Sequence, residues 1–252
     1  MNPARSIPRS PLPDPSPSLL APAAPPRALL VAIHGIMTSQ TDASWPDHLD
    51  AFVFRHQPAI KVLKKEYAAG PLPRVNLLKN RRLAASLVNE IELFISDHNQ
   101  FSPPIWFVAH SNGALIALLV TQRLIEHGHW IGGVILTGAA CEADVRKNRI
   151  LDWLQSGRLG FAAAYCSAAD RVLPPGPGSL KGWLWRQLVW PYGSLGRTGW
   201  LGLEDRPPCL IHDRLITRWF AGGHGVYFAP EHRAGTFEQI FADIELGAAL
   251  AS

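Results

Sequence analysis

The sequence Pro-Ile-Trp-Phe-Val-Ala-His-Ser-Asn-Gly-Ala-Leu-Ile-Ala, residues 104–117, decides the fold predicted for this chain. It opens with an apolar and aromatic run at 105–108, which is typical of a buried parallel strand. After residue 113 the apolar residues recur at helical spacing, and Gly128 is a favourable place for a helix to end. The stretch therefore predicts a strand, a sharp turn and a helix in direct succession.

The turn between this strand and this helix has the pattern small-x-Ser-x-Gly, formed by Ala109, Ser111 and Gly113. A serine on such a turn has strained backbone dihedrals, and the residues two positions before and after it are pushed close together, so both must be small. Ala109 stands where glycine is commoner. The N-terminus of the helix favours negative charge that develops beside the serine. The pattern therefore indicates that Ser111 is a candidate nucleophile.

Composition limits both the architecture and the partners. The chain has 252 residues, of which 47% are hydrophobic and 17% charged, enough for one large α/β domain or two small ones. A net charge of +4 without a dense basic run predicts no nucleic-acid partner. The three cysteines lack a Cys-x-x-Cys spacing, which argues against a disulfide framework and a zinc site and favours a reducing compartment. We expect no metal, no other cofactor and a cytoplasmic protein.

The N-terminal residues 1–27 are rich in proline, with serine and alanine. Proline removes backbone donors and disfavours helix, which predicts a disordered or polyproline-II tail. The same prolines interrupt every candidate for the apolar core of a secretion signal. No apolar stretch of the chain reaches transmembrane length. We therefore expect one folded domain at 28–252.

Strand-like and helix-like segments alternate along that domain, which predicts a parallel sheet with helices on both faces. Beside the helix after Ser111, helices are expected after caps at Ser44 and Asn80, at 145–156 and at the end of the chain. The strands are expected at 28–33, 60–67, 105–108, 131–137, 161–167 and 209–218.

Polar residues follow several of these strands, at the sheet edge where α/β proteins bind their ligands. His34 and Gly35 follow the strand at 28–33, and Asp170 follows the strand at 161–167. His224 follows the last strand and lies between glycines, which places it in a loop. These residues and Ser111 are therefore expected to lie close together.

Their chemistry is complementary. A serine hydroxyl is a poor nucleophile until a base removes its proton, and His224 would be that base. Asp170 would hold the imidazole in the required tautomer and stabilise its charged form. The tetrahedral oxyanion needs backbone donors, for which we expect the N–H of Asn112 and the N–H of Ile36. Ser111, Asp170 and His224 thus form a predicted catalytic triad.

The order Ser–Asp–His, the His-Gly loop and the serine turn together resemble the α/β-hydrolase superfamily. The turns Ala-Asp-Arg-Val-Leu-Pro and Gly-His-Gly-Val-Tyr-Phe also resemble the acid and base turns of that superfamily, and the resemblance covers about 28–246. It implies an α/β-hydrolase fold, acylation of Ser111 and an oxyanion-hole amide from Ile36, with His34 and Gly35 supporting the loop. The usual cap domain has no room between the strands at 131–137 and 161–167, so no large cap is expected.

Other histidines and aspartates are expected to have different roles. The side chain of His110 should point away from the site and serve packing or hydrogen bonding, and His34 should be a structural loop residue. Asp144 and Asp152 are interpreted as caps or solvated charges. Asp213, inside the last predicted strand, is the strongest rival of Asp170 for the role of the acid.

An insertion at about 174–208 is rich in tryptophan, including Trp183 and Trp190. The favoured interpretation is a helix packed on the sheet. The alternative is a lid or one wall of an acyl pocket, whose aromatic and basic residues could also touch a membrane surface weakly.

The sequence as a whole predicts a serine hydrolase that cleaves a small-molecule carboxylic ester, an esterase or a lipase-like enzyme. A thioesterase, an amidase or a peptidase would use the same triad, because leaving-group choice depends on pocket shape. Two further alternatives are a non-catalytic ligand-binding protein of the same fold and a scaffold recruited through the proline-rich tail.

Overall fold

The computed structural model describes residues 27–35, 44–67, 73–97, 103–174, 192–203 and 212–251. These residues form a six-stranded sheet of order β2-β1-β3-β4-β5-β6, in which every pair of neighbouring strands is parallel. In chain order the strands are β1 (Ala28–Ile33), β2 (Ile60–Lys65), β3 (Ile105–His110), β4 (Ile131–Thr137), β5 (Leu159–Cys166) and β6 (Leu215–Trp219). The strand that leads to Ser111 therefore lies in the interior of the sheet, between β1 and β4.

Helices cover both faces of this sheet. The described helices are α1 (Trp45–His56), α2 (Pro73–Asp97), α3 (Asn112–Glu126), α4 (Ile150–Gln155), α5 (Leu195–Thr198) and α6 (Pro230–Ala251). Alternate residues of β1 belong to different cores: Val31 to the core that also contains residues of α2, α3 and α4, and Leu30 to the core that also contains residues of α1 and α6. This alternation follows from the two-residue period of a strand. The predicted parallel sheet with helices on both faces is confirmed.

Some predicted boundaries are wrong. Asn80 does not cap a helix, because α2 begins at Pro73, and proline is favourable in a first helical turn. The helix predicted at 145–156 is shortened to α4, because Val145 instead donates its N–H to the carbonyl of Leu201 at 3.0 Å. The last strand, predicted at 209–218, begins only at Leu215, because His212–Arg214 form a 3₁₀ turn; residues 204–211 lie outside the described residues.

The segment between β4 and β5 is fully described and contains only the six-residue helix α4, so no cap domain is inserted there. In the 174–208 insertion, Trp200 is buried and donates its indole N–H to the carbonyl of Ile216 at 2.9 Å. Trp183 and Trp190 lie outside the described residues, as do residues 1–26 of the predicted tail. Within the described part of the chain, no helix is both long enough and apolar enough to cross a membrane.

Candidate active site

Ser111 joins β3 to α3 in a strained backbone conformation, with φ 56° and ψ −125°. A positive φ is uncommon for a residue other than glycine and has to be held by its surroundings. The N–H of Ser111 donates to the carbonyl of Thr137 at 3.0 Å. Its own carbonyl accepts the N–H groups of Ala114 at 3.1 Å and Ala140 at 3.0 Å. The end of β4 and the loop after it therefore hold the turn in place.

Two glycines allow the backbone to pass close to this turn. A Cβ added at Gly35 would lie 2.8 Å from the Cβ of Ser111. A Cβ added at Gly113 would lie 2.6 Å from the carbonyl oxygen of Ile33 and 2.7 Å from that of His34. Ala109, by contrast, fits its position with its side chain fully buried in the core. The small residue predicted at Gly113 is thus sterically required, and so is the glycine at position 35.

His224 lies in hydrogen-bond contact with both Ser111 and Asp170. Nε2 of His224 is 2.9 Å from Oγ of Ser111, and its Nδ1 is 2.6 Å from Oδ2 of Asp170. Because a carboxylate only accepts, Nδ1 carries the proton, and Nε2 is left to accept the hydroxyl proton of the serine. The structure therefore brings together the three residues that the sequence predicted.

Asp170 is completely buried and uses both of its oxygens. While Oδ2 faces His224, Oδ1 accepts the backbone N–H groups of Val172 at 2.9 Å and Leu173 at 3.2 Å. Asp170 can therefore stabilise its own turn and orient His224 at the same time. The rival Asp213 is exposed and precedes β6, at the sheet edge opposite to the one where Asp170 follows β5.

The loops that carry Asp170 and His224 are bonded to each other. Oγ of Ser167, just after β5, donates to the carbonyl of Gly222. The N–H of Phe220 donates to the carbonyl of Cys166 at 2.8 Å. These bonds fix the approach of the two catalytic candidates independently of their side chains.

His110 does not point away from the site as expected, because its ring centre lies 4.9 Å from that of His224. Its Nδ1–H donates to the carbonyl of Thr137 at 3.0 Å, since a carbonyl can only accept. Burial, and secondarily the neighbouring His224 and His34, lower the pKa of His110 to about 3. The ring beneath the candidate base is therefore neutral, and it makes the hydrogen bond that the sequence suggested.

We expect His110 to make folding sensitive to acid. From pH 6.5 down to about pH 3 the unfolded chain binds a proton at this residue and the folded chain does not, so stability falls with pH by about 1.4 kcal/mol per unit. The His110→Asn variant keeps a side-chain donor for Thr137 but lacks this titration. Urea unfolding of this variant between pH 7 and pH 4 should show a weaker loss than the wild type.

The control for that measurement is His232→Asn, because His232 is exposed on the first turn of α6. It should keep the acid dependence of the wild type. An equal loss of stability in wild type and His110→Asn would show that the buried ring does not titrate as described. The titratable groups that face His110 are His34, His224 and Tyr227.

His34 occupies a structural position in the loop after β1. It is buried, its Nδ1–H donates to the carbonyl of Gly35 at 3.1 Å, and its ring lies against Trp45. Burial is the main cause that lowers its pKa. Ile36, the predicted second oxyanion donor, lies outside the described residues.

Asn112 is the first residue of α3, and its N–H therefore has no acceptor within the helix. In a trans peptide the N–H points opposite to the carbonyl of the preceding residue. Because the Ser111 carbonyl is held by Ala114 and Ala140, the Asn112 N–H faces away from those two donors.

Among the described residues, no group of three or more His, Cys, Asp or Glu side chains is arranged to hold a metal ion.

Known structures share this architecture, although no protein-family model and no curated protein sequence matches the chain. Esterase PE8 is 14% identical, with a TM-score of 0.51 over 87% of this chain and 94% of that chain. A zinc-bound, cold-adapted esterase from an Arctic intertidal metagenomic library is 14% identical, with a TM-score of 0.51 over 88% of this chain and 83% of that chain. The chain therefore has the α/β-hydrolase fold, as the sequence predicted.

Proposed function

We propose that this protein is a serine hydrolase that cleaves small-molecule carboxylic esters through an acyl-enzyme on Ser111. The observation that carries the proposal is the unbroken hydrogen-bond chain from Asp170 through His224 to Ser111, with contacts of 2.6 Å and 2.9 Å. A serine, a base and an orienting carboxylate in this relation define nucleophilic acyl transfer by geometry rather than by sequence position.

The reaction would proceed in two halves. His224 takes the proton of Ser111 as the oxygen attacks the ester carbonyl, and Asp170 stabilises the imidazolium that forms. The N–H groups of Asn112 and Ile36 would bind the oxyanion of the tetrahedral intermediate. Collapse of this intermediate transfers the histidine proton to the leaving alcohol, and a water molecule then repeats the sequence to release the acid and restore Ser111.

Hydrolysis of a panel of substrates would determine which class of bond the protein cleaves. The same triad would hydrolyse a thioester, an amide or a peptide, and a non-catalytic ligand-binding protein could keep the fold. The two structures compared above, each with a TM-score of 0.51, are esterases, so the ester is the first class to test. We place the protein in the cytoplasm, and the buried free thiols of Cys141 and Cys166 support a reducing compartment.

The deciding experiment is intact-mass labelling with a fluorophosphonate. The wild type should gain one adduct and Ser111→Ala none, because only an activated serine attacks the phosphorus. Ser86→Ala, which changes an exposed serine of α2, should still be labelled. A folded wild type that stays unlabelled, or a Ser111→Ala variant that gains the same adduct, would contradict the proposal.

A further inference from the structure

The side chain of Asn112 belongs to a buried polar network that spans three elements. Nδ2 of Asn80, in α2, donates to Oδ1 of Asn112 at 2.9 Å. In return Nδ2 of Asn112 donates to Oδ1 of Asn80 at 3.1 Å and to the hydroxyl of Tyr67, just after β2, at 2.6 Å. We call these three residues the amide network. It connects the first residue after the candidate nucleophile to α2 and to the end of β2.

Burial makes the amide network selective for one arrangement. Asn112 is 0% exposed and Asn80 is 1% exposed, so water cannot replace a lost partner. An unpaired buried polar group is destabilising, which penalises every rotamer that breaks the reciprocal pair. Burial also raises the pKa of Tyr67, so its hydroxyl stays neutral and accepts from the Asn112 amide.

The backbone of Asn112 is thereby held from two sides. The carbonyl of the peptide unit that carries its N–H accepts from Ala114 and Ala140 at 3.1 Å and 3.0 Å. On the side-chain end, the amide network fixes the rotamer and the position of its Cα. A rotation of this peptide unit would have to break bonds at both ends.

We propose that Asn80 and Tyr67 are positioning residues that fix the backbone N–H of Asn112 for the oxyanion. This inference rests on the proposed function, in which that N–H meets the charge that develops during acyl transfer. Such donors accelerate a reaction because they are aligned in advance, and a small displacement weakens them steeply. Neither Asn80 nor Tyr67 needs to touch the substrate to have this effect.

The first test is Asn80→Leu, assayed with p-nitrophenyl butyrate. We expect kcat to fall by about tenfold or more while KM changes little, because the N–H acts in the transition state and not in ground-state binding. The affinity for a trifluoromethyl ketone, whose adduct carries an oxyanion, should fall in parallel. Tyr67→Phe removes only one bond of the amide network and should cause a smaller fall in kcat of the same kind.

A double variant separates positioning from stability. Asn80→Leu leaves the Asn112 amide without its buried partner and should lower the melting temperature, whereas Asn80→Leu/Asn112→Leu removes both amides and should recover much of it. In the double variant kcat should nevertheless stay low. The control is Thr121→Val in α3, a buried threonine whose hydroxyl has no partner among the described residues; its kcat should match the wild type.

The inference is overturned if a folded Asn80→Leu protein keeps the kcat of the wild type, or if the double variant recovers kcat together with stability. Failure of the proposed function has a different signature: the wild type is then neither labelled nor active. In that case the ¹⁵N resonance of the Asn112 amide still decides the positioning role. It should shift or broaden in Asn80→Leu and stay unchanged in Thr121→Val, and an unchanged resonance in both would reject the role.

Discussion

His224→Ala is expected to lose at least about 10³-fold in kcat/KM and to remain folded. Nε2 of His224 lies 2.9 Å from Oγ of Ser111, so its removal leaves the hydroxyl without the base that takes its proton. The loop should survive the change, because Ser167 still holds the carbonyl of Gly222. The His224 side chain is 17% exposed, so water can enter the space that the ring leaves.

Steady-state ester hydrolysis together with thermal unfolding measures this loss. His232→Ala is the matched control, because it removes an exposed histidine from α6 and should turn over like the wild type. Added imidazole should restore part of the activity of His224→Ala if the missing group is a base. Turnover near the wild-type rate in a folded His224→Ala protein would mean that another group activates Ser111.

The sequence predicted the fold and the three main candidate residues because that information is local. Ser111, Asp170 and His224 each follow a strand, and parallel strands bring their carboxyl ends to one edge of the sheet. The apolar runs at 28–33 and 131–137 coincide with β1 and β4. An element whose pattern is complete within a few residues can be recognised without knowledge of its neighbours.

The amide network was missed because its pattern is not local. Asn80 lies three residues before Leu83 and seven before Leu87, which was already a sign that it shares the buried face of α2. The partner that makes burial of its amide acceptable is Asn112, 32 positions later, and Tyr67 is 45 positions before Asn112. Tertiary packing alone brings these residues together, and without it the sequence of α2 predicts only a helix cap at Asn80.

The predicted orientation of the His110 side chain is wrong for a similar reason. Its partner Thr137 is opposite it in the register of β3 and β4, and nothing within the serine turn specifies that register. The carbonyl of Thr137 accepts both from this ring and from the N–H of Ser111. The ring is therefore drawn toward the end of β4, where it also meets His224.

Asp170→Asn is expected to lower kcat/KM by about 10⁴-fold with little change in stability. Oδ1 of Asp170 accepts two backbone N–H groups, from Val172 and Leu173, so the amide oxygen of an asparagine will occupy that position. Its NH₂ group then faces Nδ1 of His224, which must accept instead of donate. The ring proton moves to Nε2, and the histidine can no longer take the proton of Ser111.

Asp213→Asn is the control for this change, since Asp213 is exposed in the turn before β6 and should be replaceable without effect on turnover. Both variants should unfold at nearly the wild-type temperature, because Asp170→Asn keeps the two backbone contacts of the turn. If Asp213→Asn is the inactive variant and Asp170→Asn is active, the acid has been assigned to the wrong strand end, and the hydrogen bond of 2.6 Å to His224 is structural only.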